Sequence, residues 1–436
     1  MLRAFAQAFR TPDLRRKLLF TLGIVALFRL GTRFPVPGVS FAAVQECLRQ
    51  SDTDNAFGLV NLFSGGALLQ LSVFSLGIMP YITASIILQL LATVMPRLAA
   101  LKDDGQAGAA KITAYTRYLT MALAALQGAG VTSTAISGTL FPSCNTRDRV
   151  VPNTSALWIS GMVLALIAGT VLIMWFGELI TERGIGSGMS ILMFASVAAG
   201  LPGALWAIWS QGTIASGWGE LASVLAMGMT VIVLAVFVEQ AQRRIPVRYV
   251  KPAGRSLINH STSTYLPMRL NQAGVVPVIF AASMLYLPVL AVEFSGSSSP
   301  WAVWVQSNLV KGDSSLYMSS YFALVVFFAF FYAPTAFDPE RVGDDLKRGG
   351  GCIPGIRIGR PTVEYLRHVL TRLTWPGSLY LATVALLPLI VLTAFRTGSS
   401  FPFGGTSILI IVGVGLETLK RLESQLQQHN YEGFLR

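Results

Sequence analysis

Charge is scarce in this sequence. Asp, Glu, Lys and Arg make up 12% of its 436 residues, where a water-soluble domain carries about a quarter, so an ordinary soluble fold is excluded. Histidine and cysteine are scarce too, with 3 of each. His260, His368 and His429 stand in polar segments with no HExxH, GxSxG or P-loop beside them. The usual chemistry of a metalloprotease, a serine hydrolase or a nucleotide triphosphatase is therefore not expected, nor is any cofactor or metal. Cys47, Cys144 and Cys352 fit no metal-ligand spacing, and an odd number cannot form a closed disulfide framework, so they read as incidental. A cleavable leader is not expected either. Arg15-Arg16-Lys17 precedes the first apolar run as a signal peptide's basic region would, but that run is too long and no small-residue cleavage pattern follows it. The first helix reads as a retained anchor.

Apolar sequence is what the chain has in abundance. With 53% hydrophobic residues and a mean hydropathy of +0.58, it reads as an all-α polytopic membrane protein. Runs approaching the length of about 20 residues that crosses a bilayer occur near 18–37, 76–95, 115–135, 156–176, 187–208, 218–238, 272–293, 317–337, 374–394 and 402–421. That predicts ten transmembrane helices. If the N terminus is inside, the basic residues left outside are Arg29, Arg33, Arg49, Arg147, Arg149, Lys311 and Arg396, of 33 Lys and Arg. The positive-inside rule therefore places both termini in the cytoplasm. An outside segment at 209–217 divides the runs into two sets of five, 1–208 and 218–436. Five is odd, so the second half enters the membrane from the opposite side, and inverted halves of this kind usually enclose a site near the midplane.

Two cytoplasmic segments, 240–270 and 338–372, are longer than ordinary connections. They carry Arg243, Arg244, Arg248 and Lys251 in one and Arg357 in the other. Any one of these cations is explained by topology alone. The turn-forming frame Pro354-Gly355-Ile356-Arg357 favours a shaped docking surface instead.

The stretch from Asn61 to Leu91 organises the rest. Ser64-Gly65-Gly66 opens a segment too short to span, and from Leu76 an apolar run follows, interrupted by Pro80 and ending at Pro96-Arg97. A short piece feeding a spanning helix is the pattern of a re-entrant element, which membranes tolerate only where it is buried in protein or lines a cavity. An internal space is implied.

Phe63-Ser64-Gly65-Gly66-Ala67, Leu76-Gly77-Ile78-Met79-Pro80-Tyr81-Ile82, Ile180-Thr181-Glu182-Arg183-Gly184-Ile185-Gly186, Pro354-Gly355-Ile356-Arg357 and Phe403-Gly404-Gly405-Thr406-Ser407 resemble, in order, motifs of the bacterial SecY family. The likeness runs from about residue 12 to the C terminus. It implies the channel-forming subunit of the general protein translocon, multi-pass in a bacterial plasma membrane, with SecE and SecG as small partner subunits. The SecA motor ATPase or the ribosome would meet its basic loops, and secretory and membrane-protein precursors would be its cargo.

The resemblance also implies site residues. Ile78, Ile82, Met189, Met193, Val276, Ile279, Ile408 and Ile410 match the family's apolar pore ring, with two Met in place of the more usual Ile. A narrow apolar constriction denies an ion its hydration, and Met makes it softer. By spacing alone such residues are ordinary helix-packing or lipid-facing positions. The segment near 62–72, including Phe63, Ser64, Gly65, Gly66, Ala67 and Leu68, would be a short plug helix, the alternative being a tight outer turn. Thr83, Gln89, Asn271 and Leu287 fall where the family has its lateral gate, against a reading of Gln89 and Asn271 as static packing. Arg29 lies within the first apolar run, where a charge is a functional candidate by default, and snorkelling to the outer interface is the other account.

A secondary transporter with inverted repeats is the competing function. Ion coupling usually leaves an acid or His deep in the helices, whereas Glu178, Glu182, Glu239, Asp338 and Glu417 cluster towards the cytoplasmic ends and Glu293 towards the outer end. An uncharged midplane favours the channel.

Overall fold

The structure, a computed structural model, describes residues 11–50, 64–138, 140, 150–211, 217–249, 263–295, 300–310, 314–395 and 405–432. Each of the ten apolar runs contains a helix. These are α1 (Pro12–Gly31), α3 (Met79–Val94), α5 (Gln106–Ser137), α6 (Ala156–Arg183), α7 (Gly188–Gln211), α8 (Gly217–Gln240), α9 (Val276–Ser295), α11 (Ser315–Ala336), α13 (Arg360–Phe395) and α14 (Gly405–Glu432). Short helices α2 (Phe41–Gln50), α4 (Pro96–Asp103), α10 (Pro300–Val305) and α12 (Pro339–Arg348) lie between them. Among the described residues, α5, α6 and the helix beginning at Ser315 are long and apolar enough to cross a membrane on composition alone, and shorter apolar helices accompany them.

Helix boundaries follow local chemistry. Pro80, expected to interrupt its run, sits in the first turn of α3, where a missing N–H costs nothing because that donor has no intrahelical partner. α3 ends before Pro96, which opens α4. Ser314 caps α11 by accepting from Tyr317 N. Asp338 caps α12 by accepting from Glu340 N at 3.0 Å and Arg341 N at 3.4 Å, while Lys347 and Arg348 occupy its last turn and oppose the negative end of its dipole. α13 has 36 residues, about 54 Å at the helical rise. It therefore extends well beyond an apolar core of about 30 Å.

The first five spanning helices pack in the series α3–α5–α6–α7 with α1 against α6 and α7, and the second five as α9–α11–α13–α14–α8. The two groups meet along two edges. On one, α7 lies against both α8 and α14; on the other, the less extensive one, α9 lies against α3 and α5.

Two sequence expectations change. The two long basic segments are not simple loops: β1 (Gln242–Tyr249) and β2 (Ser263–Arg269) pair antiparallel from Gln242↔Arg269 to Arg248↔Ser263. β3 (Gly351–Cys352) joins β1 on its other side, so one three-stranded sheet in the order β2-β1-β3 ties both segments together. It is held by Ile245, Val247 and Met268 packing on Leu346, Ile353, Leu366 and Val369. Cys47 is not incidental either, because it is disulfide-bonded and buried, while Cys352 is free. One bridge and one free thiol accommodate an odd count.

Helices α6 and α7 approach closely, since a Cβ on Gly188 would lie 1.9 Å from the carbonyl oxygen of Gly177. Gly188→Val must force the two backbones apart, at about 1–3 kcal/mol or more. Its melting temperature in detergent is expected to fall clearly below wild type, whereas Gly161→Ala, which would meet nothing within 4 Å, should leave it unchanged or slightly raised. Equal melting of the two variants would contradict the packing.

Candidate functional site

Ser64 to Ile78 is wound as successive turns, where a short regular helix was expected. Positive φ at Gly65 (69°), Gly66 (87°), Leu71 (44°) and Gly77 (56°) breaks helical continuity. Much of the segment's hydrogen bonding is internal, although the buried Ser72 Oγ has no partner among the described residues. Ser64 Oγ accepts from Leu68 N at 3.1 Å, Ser72 N donates to Ala67 O at 3.2 Å, and Ser75 Oγ donates to Ala67 O and Ser72 O. Ser64, Ala67, Leu68, Ser72 and Ser75 are all fully buried. Main chain closed on itself and enclosed by helices is what non-helical backbone at membrane depth requires. Phe63 lies outside the described residues.

The segment spans two apolar clusters. Leu68, Leu71 and Leu76 pack with Val36, Val44, Val131 and Met162. Phe74 and Ile78 belong to the large central core, where the Phe74 ring stacks on Phe28 at 5.8 Å. Its base is tied to the chain after α1 by main-chain bonds, Val36 N to Leu71 O and Val73 N to Phe34 O, both 2.9 Å. At the other end, Gly65 is held between α1 and α7. A Cβ there would lie 2.9 Å from Arg29 Nη1 and 3.2 Å from the Cα of Ser196.

All eight ring positions fall in one apolar cluster. Ile78, Ile82, Met193, Ile279, Ile408 and Ile410 are buried in it, and Met189 and Val276 pack against it from partly buried positions. The eight are not equivalent. Met189 Sδ sits 2.5 Å from where a Cβ on Gly177 would be, so this side chain is engaged with α6. Ile408 and Ile410 are two residues apart on α14 and point about 200° apart, so at most one faces a common axis. Ser196, which meets Gly65, lies three residues along α7 from Met193. Gly65 thus rests about one helical turn from Met193, while Phe74 and Ile78 of the same segment lie within the apolar cluster.

The four gate positions are less uniform. Thr83 is buried on α3, with Oγ1 donating to Met79 O at 3.0 Å, and Gln89 Nε2 donates to Ser85 Oγ at 3.2 Å on the same helix. Asn271 Nδ2 turns towards α8, donating to Glu239 Oε2 at 3.2 Å and to Gly274 O at 3.0 Å. Leu287 is in α9, but its side chain lies outside the described residues.

The basic surface is formed on the sheet. Arg243, Arg244 and Arg248 are exposed on β1, with Arg244 over the Tyr265 ring at 5.5 Å. Lys251 lies outside the described residues. Arg357 is exposed in a turn where Ile356 N donates to Ile353 O at 3.0 Å and Thr362 Oγ1 donates to Arg357 O at 2.8 Å. Glycines of positive φ, Gly355 and Gly359, flank it. Sequence reasoning missed Ser196, the Arg29 contact and the bidentate Arg117–Glu178 pair at 2.8 Å that joins α5 to α6. Among the described residues no group of His, Cys, Asp and Glu is placed to hold a metal ion.

The arrangement is an apolar cluster to which α3, α7, α9 and α14 contribute, with the turn segment packed against it. Such a site can exclude ions and yield to a larger passenger. A SecY family model matches residues 72–419. The Protein translocase subunit SecY of Streptomyces galbus is 61% identical over 437 residues, covering 100% of each chain. A solved structure of a protein conducting channel has a TM-score of 0.66 at 18% identity, over 94% of this chain and 91% of that one. Sec61 in a canine ribosome-channel complex from the endoplasmic reticulum has a TM-score of 0.63 at 18% identity, with the same coverage. At that identity the structural likeness establishes the fold, while the full-length sequence match establishes the lineage: this chain belongs to the SecY family.

Proposed function

We propose that this protein is the central subunit of a protein translocase, a membrane channel that passes unfolded polypeptide and releases hydrophobic segments sideways into lipid. The observation that carries this reading is the buried turn segment 64–78 lying beside an apolar cluster drawn from both helix groups. In this reading 64–72 is the plug, and Ile78, Ile82, Met193, Val276, Ile279 and one of Ile408 and Ile410 form the constriction. The halves 1–208 and 218–436 part along the α3/α9 edge, the more lightly packed one, with 209–217 and the α7/α8/α14 edge as hinge. Thr83, Gln89 and Leu287 stand at the seam. Asn271 steadies the start of α9 through Glu239.

The membrane is a bacterial plasma membrane with both termini inside, because the basic sheet and Arg357 then face the cytoplasm. Partners follow from that surface. Arginines exposed beside a tyrosine suit ribosomal RNA phosphates or an acidic face of the SecA motor, and SecE and SecG would cover exposed apolar helix faces such as Leu225, Met229, Val233 and Phe237 on α8.

Reconstitution tests the whole reading. Vesicles holding this chain with its co-purified small subunits should, on adding motor ATPase and ATP, take a secretory precursor into a protease-protected state. No protection, together with purification of the chain alone, would overturn it. Arg357→Glu should lower that import about tenfold, the scale of reversing a charge at an interface, with abundance and membrane insertion unchanged. A normal import rate would remove Arg357 from the docking surface.

A further inference from the structure

Arg29 is the charge that α1 carries inside its apolar run, and a guanidinium at that depth must find acceptors. Its Nη1 donates to the main-chain carbonyl of Gly65 at 3.0 Å, across 36 residues of sequence. The ion pairs found among the described residues are made by other arginines, Arg117, Arg341, Arg367 and Arg421. The acceptor lies at the end of the turn segment away from its base, where Gly65 is held between Arg29 and Ser196. The base of that segment, 71–73, is fixed to 34–36 by the two main-chain hydrogen bonds that make up the antiparallel Pro35–Ser72 bridge. Between Gly65 and the base, a Cβ on Gly66 would meet nothing within 4 Å. A swing of the segment about its base therefore has to break the Arg29 bond, and it takes one acceptor from a part-buried guanidinium held in α1.

We propose that Arg29 is a donor with two successive acceptors: at rest it latches the plug through Gly65 O, and with the plug displaced it binds the carbonyls and carboxylates of the polypeptide in transit. This rests on the channel reading above. An unfolded passenger presents one carbonyl per residue with no internal partner, and guanidinium has five N–H donors set in a fork. Opening without a passenger strands the cation, whereas opening around one does not. The exchange couples plug release to the presence of cargo. It also makes passage selective, favouring acidic segments over basic ones.

The test uses the reconstituted complex with two precursors identical except for a segment of six Glu or six Lys. Wild type should import the Glu form faster and show a low resting conductance. Arg29→Gln, which keeps a donor but not the charge, should bring the two import rates together and raise resting conductance about tenfold, the size set by losing a charge-assisted hydrogen bond. Arg29→Lys should restore the Glu preference. Raised conductance with an unchanged Glu-to-Lys ratio would overturn the transfer to cargo, and unchanged conductance would overturn the latch. Failure of wild type to import either precursor would instead take down the channel reading, and this inference with it.

Discussion

Oxidation of a chain carrying Thr83→Cys and Leu287→Cys should stop translocation, and reduction should restore it. α9 lies against α3 along the lightly packed edge between the two helix groups, and a disulfide closes only when Cα atoms are within about 4.4–6.8 Å. The bridge would therefore form in the closed channel and hold it shut. Cys352, a free thiol, is replaced in this chain. A parallel chain without the engineered pair accounts for the effect of reductant on the native Cys47 bridge. Import by the oxidised protein is expected to be at background. A long flexible crosslinker at the same sites should block less. If oxidised and reduced proteins import a precursor at one rate, α3 and α9 do not form the gate.

The second large effect is expected at the proposed constriction. Ile82, Met193 and Ile279 are buried in the central core from α3, α7 and α9, and an apolar narrowing excludes ions by denying them hydration. Ile82→Ser, Met193→Ser and Ile279→Ser together supply hydroxyls to a passing ion. Resting conductance in planar bilayers should rise at least about tenfold, a barrier change of about 1.4 kcal/mol. The substitutions also remove buried volume, so an apolar counterpart, Ile82→Val with Met193→Leu and Ile279→Val, separates loosened packing from lost dewetting. That variant should stay at the wild-type baseline. A baseline unchanged in the Ser variant would assign the seal to the plug alone, and an equal rise in both variants would assign it to packing.

These experiments rest on residues whose legibility differed. Ile82, Met193 and Ile279 were singled out by the family resemblance, since their spacing alone says only that each lies on a packed or lipid-facing helix face, and all three are buried in the central cluster. Met189 shared that spacing yet packs on α6, since Gly177 leaves a gap that its thioether fills. Nothing in the local pattern at 189 reports a glycine on another helix. The sheet escaped notice for a related reason: β1 carries three arginines and Pro246 around Ile245 and Val247, so its alternation is short. Its pairing with β3 depends on a segment about a hundred residues away.

What the sequence determined by itself was the class, the ten spanning helices, their approximate limits and the basic face. Those depend on quantities local to the chain, the length of an apolar run against the thickness of a bilayer and the position of cations between runs. Tertiary structure decided the rest: the turns of 64–78, the bond from Arg29 to Gly65, the turn of Asn271 towards Glu239 across 32 residues, and the bonding of Cys47. Each is a choice of partner for a buried polar or reactive group. Inside a membrane such a group has no water to fall back on, so its partner is whichever complementary group the packed helices bring within reach, however distant in sequence.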